Sequence, residues 1–195
     1  MSIAKGGKNS FHDPKGVDGL SEFAWGFLNR ILANANDICL ILNSSVNAYR
    51  RLDPHFEAPN QIKVSASDRG SMIRIPIGNE RTARIEVRSI APDANPYLAI
   101  YALFKTGLEG PGVDDDNESK RQRTRFLPDN IYDAIRMFKT SKYAQELLGE
   151  QVHEKFAELK LSSAERCAKA LGARIKRSEI QFHHEVTNQY LWNQF

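Results

Sequence analysis

The chain has 195 residues, 27 Lys and Arg against 24 Asp and Glu, and a formal charge of +3. That length suits one domain, or one large part of a bigger one, and can bury a core without disulfide or metal staples. With 41% hydrophobic and 26% charged residues the composition excludes wholesale disorder, the apolar run at 38–42 is too short for a membrane span, and a net +3 does not by itself imply nucleic acid.

The N-terminal stretch MSIAKGGKNSFHDPKG lacks the apolar region of a signal peptide, and Cys39 and Cys167 have no metal-type spacing. Both features predict a cytoplasmic protein with reduced thiols and no membrane partner. Residues 1–19, rich in Gly, Lys, Asp and Asn, read as a loop. Leu20, Phe23, Ala24, Phe27, Leu28, Ile31, Leu32 and Ala35 then recur on one helical face. Residues 43–60 hold two prolines and many turn formers and are expected to be mostly loop. Alternation of apolar and polar residues predicts strands at 61–67, 71–76 and 84–89, with connections short enough for an antiparallel meander.

Asn95-Pro96 reads as N-cap and first helical residue of a helix that Gly107 or Gly110 ends. Residues 110–125, acidic then basic, form a solvated loop. Helices resume after Pro128. Asp129 or Asn130 caps the first, Ser141 the second, and a longer run starts near Gly149 with breaks expected near Ser162 and Gly172. Leu147, Leu148, Val152 and Phe156 are taken as its core face, and His12 and His153 as isolated. The fold class is therefore α+β, a small antiparallel sheet covered by helices with a helical C-terminus.

The chemistry concentrates on strand 84–89. Period two puts Arg84, Glu86 and Arg88 on one face and Ile85 and Val87 on the other. A carboxylate between guanidiniums stays ionised, as a metal ligand must be, and the same pattern also makes a plain surface salt-bridge ladder. Seven arginines lie between positions 50 and 88, with acidic residues only scattered among them. Arg74, on the polar face of its own strand, can join Arg84 and Arg88 in a polyanion site. No aromatics interleave with these arginines for base stacking, so a nucleic-acid partner is not expected. Glu57, in the loop HFEAP, is a candidate general base or lid.

The segments NAYRRLDPHFEAP, SDRGSMIRIP, ARIEVRS and DANPYLAIYALFKTGLEG occur in this order with short gaps. In that arrangement the chain resembles the C-terminal half of the catalytic domain of type I glutamine synthetases, strongly over 1–110 and more weakly over 128–195. The resemblance implies an ATP-dependent carboxylate–amine ligase that joins ammonia to glutamate through a γ-glutamyl phosphate. It implies Mg2+ or Mn2+ as cofactor and part of the family's catalytic half-barrel as the sheet. Glu86 then resembles a metal ligand, and Arg51 and Arg88 resemble glutamate-binding residues. Arg69 resembles the arginine that meets the transferring phosphoryl group, and Arg74, Arg81 and Arg84 match ATP-contacting positions of that family. Glu57 matches the flap carboxylate that shields the acyl phosphate and takes a proton from ammonium. Met1-Ser2 resembles the tail of an HxHxS-type motif, with Ser2 beside ATP.

On this reading the chain divides into a sheet and active-site part (1–109), a charged loop (110–127) and a helical part (128–195). The family's N-terminal domain and upstream catalytic half would be absent, and the chain alone is expected to be inactive. The full-length protein would form a large ring homo-oligomer. Two alternatives stand beside this reading: a γ-glutamyl ligase for polyamines or other amines, and a non-catalytic truncated homologue acting as a binding subunit. Asp53-Pro54-His55 leaves the amine open, and Arg125 stands where regulated relatives carry an adenylylated Tyr. Gly6-Gly7-Lys8-Asn9 lacks the Walker spacing, and His183-His184-Glu185 reads as a helix-end cluster.

Overall fold

The structure, a computed structural model, describes residues 1–52, 58–112 and 126–166. The first 19 residues are not plain loop. Strands β1 (Ala4–Lys5) and β2 (Lys8–Asn9) form an antiparallel hairpin across Gly6 and Gly7. Both turn glycines have positive φ, 58° and 78°, which side-chain-bearing residues rarely adopt.

Ser21 then accepts a hydrogen bond from the Ala24 amide and starts helix α1 (Glu22–Ala33). Of the apolar face expected here, Phe23 is exposed and the remaining seven residues are buried. Helix α2 (Ala35–Leu42) follows, and α3 (Val46–Arg50) lies inside the stretch expected to be mostly loop. The Ser45 hydroxyl accepts from the Ala48 amide, and Ala48 and Tyr49 are buried, so capping and packing stabilise a turn that composition disfavours.

Strands β3 (Gln61–Ser65), β4 (Ser71–Arg74) and β5 (Glu86–Val87) form one sheet in that order. The expected meander holds for β4–β5, which are antiparallel with Ile73 opposite Val87 and Arg74 opposite Glu86. It does not hold for β3, which runs parallel to β4, with Gln61 beside Ser71 and Ser65 beside Arg74. The link between them folds on itself instead of forming a hairpin turn. Ser65 Oγ accepts from the Asp68 amide, and Asp68 Oδ1 accepts from the Gly70 amide. These bonds turn the chain back toward the start of β3 before β4 begins.

Helix α4 (Pro96–Glu109) opens as expected: Asn95 Oδ1 accepts from the Tyr97 and Leu98 amides, and Pro96 occupies the first helical position. Gly110 ends it, while Gly107 lies inside, against Phe27 of α1. Helices α5 (Ile131–Thr140), α6 (Lys142–Leu148) and α7 (Glu150–Glu165) complete the described chain, with Asn130 and Ser141 capping the first two. The helix continues through Ser162, near which a break is expected, and ends at Glu165. Val152 is exposed and is not core, whereas His153 is buried, stacks on Phe138 at 4.5 Å and bonds its carbonyl at 2.8 Å. Gly172, Cys167 and the His183-His184-Glu185 cluster lie outside the described residues.

A single apolar core joins these parts. Helix α1 packs on α4, α2 packs on α4 and α5, and α5 packs on α7. Ile73, Ile75 and Ile85 carry the sheet's inner face into that core, and this burial fixes which side chains face out. Among the described residues, seven α-helices and two small sheets make an α+β fold with a small sheet, as expected. No described helix is long and apolar enough to cross a membrane.

Candidate anion-binding face

The β4–β5 register sets Arg74 directly across from Glu86, with the neighbouring Ile73 and Ile85 fully buried. The polar members of both strands therefore share the outer face. Glu86 Oε2 accepts from Arg74 Nε at 2.9 Å and Nη2 at 2.6 Å. Its Oε1 accepts from Arg84 Nε at 3.0 Å and Nη2 at 2.7 Å. Partial burial pushes the Glu86 carboxyl up, but the hydrogen bonds and charges of the two arginines outweigh it, so its pKa lies below the usual value. The trio carries one net positive charge.

A second group of contacts joins three separate segments. The Arg88 amide bonds the Met72 carbonyl at 2.8 Å and so continues the ladder past β5. Arg88 Nη1 reaches the Arg69 carbonyl at 2.7 Å. Arg51, just after α3, donates Nη2 to the Arg88 carbonyl at 2.7 Å and Nη1 to the Ile90 carbonyl at 3.0 Å. Burial, and then the nearby Arg88 charge, lower the Arg51 pKa. α3 itself is anchored from inside by Tyr49, packed against Cys39. There burial pushes the Cys39 thiol up to about 12 against the hydrogen bond from Asn43.

Ser2 also arrives at this face. Met1 and Ile85 exchange both main-chain bonds, at 2.6 and 3.0 Å, which is the antiparallel hydrogen-bonded pattern. That register puts Ser2 alongside Arg84, and Ser2 is exposed. Arg81 is less well placed. It sits in an exposed turn closed by Asn79 and Thr82, and its side chain makes no hydrogen bond or ion pair among the described residues. The side chain of Arg69 is exposed at the β3–β4 link. Glu57 and Arg125 lie outside the described residues.

Of the expected residues, then, Arg74, Arg84 and Glu86 touch directly. Arg51, Arg88 and the Arg69 main chain form a connected set, Ser2 flanks Arg84, and Arg81 stays apart. Sequence reasoning missed Asp68. Its carboxylate pairs with Lys63 at 2.6 Å and orders the link that bears Arg69. The spacing Ser65, Asp68, Gly70 was the available signal, since Ser and Asp at those offsets cap tight turns.

The Mg2+ or Mn2+ expectation meets a physical obstacle. A carboxylate has about four acceptor sites, and the four arginine hydrogen bonds fill those of Glu86. No group of three or more His, Cys, Asp or Glu among the described residues could hold a metal ion. In this arrangement the described residues do not fit a divalent cation.

Comparison with known proteins places the chain. The family model for the glutamine synthetase catalytic domain matches residues 1–183. The glutamine synthetase of Staphylococcus aureus strain MRSA252 is 33% identical over 170 residues, covering 80% of this chain and 38% of that protein. The glutamine synthetase of Staphylococcus epidermidis is 32% identical with the same coverage. The chain thus spans 38% of the length of these curated relatives.

Proposed function

The chain belongs to the glutamine synthetase catalytic-domain family, and from that premise we propose that it supplies the anion-binding part of an ATP-dependent carboxylate–amine ligase. The reaction is the joining of ammonia to glutamate. A γ-carboxylate oxygen attacks the terminal phosphorus of ATP and ADP leaves. Ammonia then attacks the acyl carbon, phosphate leaves, and the surplus proton passes to a base. Every step moves negative charge among phosphate and carboxylate oxygens, and fixed guanidiniums are the groups suited to hold it.

The observation that carries this reading is the outer face of β4 and β5, where Arg74 and Arg84 are oriented by one carboxylate. We assign these two, with Ser2 and Arg81, to the phosphates of ATP. Arg69, on the link held by Arg88 and Asp68, is assigned to the transferring phosphoryl group. Arg51 and Arg88 are assigned to the carboxylates of glutamate, and Glu57 to the proton of ammonium and the exclusion of water from the acyl phosphate. The family's Mg2+ or Mn2+ and its cytoplasmic ring homo-oligomer belong to the whole enzyme, and no step is assigned to the metal here.

The test is phosphate release from ATP by the purified chain with glutamate and ammonium, then with polyamines in place of ammonium. The same assay is run with the chain supplemented by the part of a relative that lies outside the matched region. Glutamate-dependent release only in the supplemented arm identifies the chain as one part of a composite active site, and the amine that works identifies the acceptor. Release independent of glutamate in every arm, or unaffected by Arg74→Ala, rejects the assignment.

A further inference from the structure

The resemblance assigns Glu86 to a metal, whereas the structure gives it entirely to two arginines. Each Glu86 oxygen takes the Nε and Nη2 donors of one guanidinium, at 2.6–3.0 Å, so its lone-pair sites are filled. A magnesium ion needs carboxylate oxygens at about 2.0–2.1 Å in a near-octahedral set. It therefore has to displace at least one of the two guanidinium forks, and among the described residues no group of three or more His, Cys, Asp or Glu is gathered to hold it. Asp68, on the adjoining β3–β4 link, is committed to Lys63 and the Gly70 amide.

The forks have a constructive consequence. They use the Nε–Nη2 edge of Arg74, and its Nη1 makes no hydrogen bond among the described residues. Arg84 places Nη1 on the Thr82 carbonyl at 3.2 Å, which fixes that guanidinium at two edges. Glu86 thus holds two planar cations at set positions on an exposed surface, with the outer edge of Arg74 turned away from its partner. Planar guanidinium edges suit phosphate oxygens, and holding them in advance lowers the ordering cost of binding.

We propose that in this chain Glu86 is the positioning residue of a two-arginine polyphosphate site that works without a divalent cation, and that cation and arginines compete for its carboxylate. The proposal rests on the assignment of Arg74 and Arg84 to phosphates, and it changes what the bound species is. The site takes a free polyphosphate chain rather than its metal complex. A cation neutralises part of the phosphate charge and offers Glu86 nothing it lacks.

Two measurements on the purified 195-residue chain decide the matter. Inorganic tripolyphosphate is titrated calorimetrically in EDTA and in excess Mg2+. The expected dissociation constant in EDTA is equal to or lower than that in Mg2+, and Arg74→Ala raises it about tenfold in both buffers, the loss of one charge-assisted contact. Tripolyphosphate binding about tenfold or more tighter in Mg2+ overturns the proposal while leaving the phosphate assignment standing. In the second measurement, Mn2+ is mixed with the chain and its free-ion electron paramagnetic resonance signal is followed. An undiminished signal at protein excess supports the arginine role of Glu86. A lost signal that Glu86→Gln restores makes Glu86 a metal ligand and overturns it. No tripolyphosphate binding in either buffer rejects the phosphate assignment itself, and the manganese signal still decides what Glu86 holds.

Discussion

Gly107→Ala tests the packing of α4 on α1 most sharply. A Cβ at position 107 would lie 2.4, 2.4 and 2.5 Å from three ring atoms of Phe27. Favourable carbon contacts begin at about 3.5 Å, so the ring or the helix must give way by about 1 Å. Neither is free to move. Phe27 is fully buried between Phe11 and Phe104, at centroid distances of 5.3 and 6.0 Å. The helix is held by Arg30 Nη1 on the Gly107 carbonyl at 3.1 Å and by Tyr143 on Thr106 at 2.8 Å. Overpacking of this kind costs about 1–3 kcal/mol, and the displacement required puts this site near the upper end. Alanine recovers about 1 kcal/mol of helix propensity, so the net loss is about 1–2 kcal/mol. For a chain of this size that is a fall of about 2–8 °C in Tm. Thermal unfolding followed by circular dichroism reads it directly. The double variant Gly107→Ala with Phe27→Leu should be less destabilised than the two single changes added together. An alanine variant as stable as the parent, or more stable, would refute the close contact.

Three other outcomes follow from the same geometry. Arg51→Lys cannot fork onto the carbonyls of Arg88 and Ile90, so amide exchange at 89–91 should quicken roughly threefold or more while the α1 amides stay unchanged; equal exchange there argues against the clamp. Glu86 titrates below its ordinary value, so its contribution to stability is in place above about pH 4.3 and is lost as the pH falls through the lower native value. Glu86→Gln should flatten that acid loss, and an identical slope in the variant counts against it. Cys39, buried with its thiol pushed up to about 12, should resist iodoacetamide at pH 8 until the protein unfolds; peptide mass spectrometry separates it from Cys167, and rapid native labelling of Cys39 contradicts the burial.

Helix starts were legible because they are local. Asn95-Pro96, Asn130 and Ser141 each act on amides two or three residues away, so residue type and spacing carry the information. The Arg74, Arg84 and Glu86 cluster was legible for a related reason, since period-two strands pin their faces. What failed depended on distant partners or on bonds that residue type does not specify. Ser162 did not break α7, where the adjacent Ser163 returns its hydroxyl to the Leu159 carbonyl at 3.0 Å within the helix. α3 forms in turn-rich sequence because Tyr49 is buried beneath it. The guanidinium of Arg51 ends on main-chain carbonyls, which every residue has and no pattern reveals. The direction of β3 was misread because a short link normally means a hairpin, and only the hydrogen bonds of Ser65 and Asp68 show otherwise.

That parallel strand has a consequence for how much the chain can be edited. From Gln61 to Ser65 the strand advances about 13 Å, and the chain must return that far before Ser71 can lie beside Gln61. Six residue steps make the return, with a maximum reach of about 20 Å. Two fewer leave about 13 Å, with nothing to spare for turning twice. Loop lengthening costs little here, since closure entropy grows only slowly with length, but shortening by two residues forces β3 to reverse or leave the sheet. The segment bearing Arg69 is thus a tether whose length sets a lower limit on the fold that no choice of residues can relax.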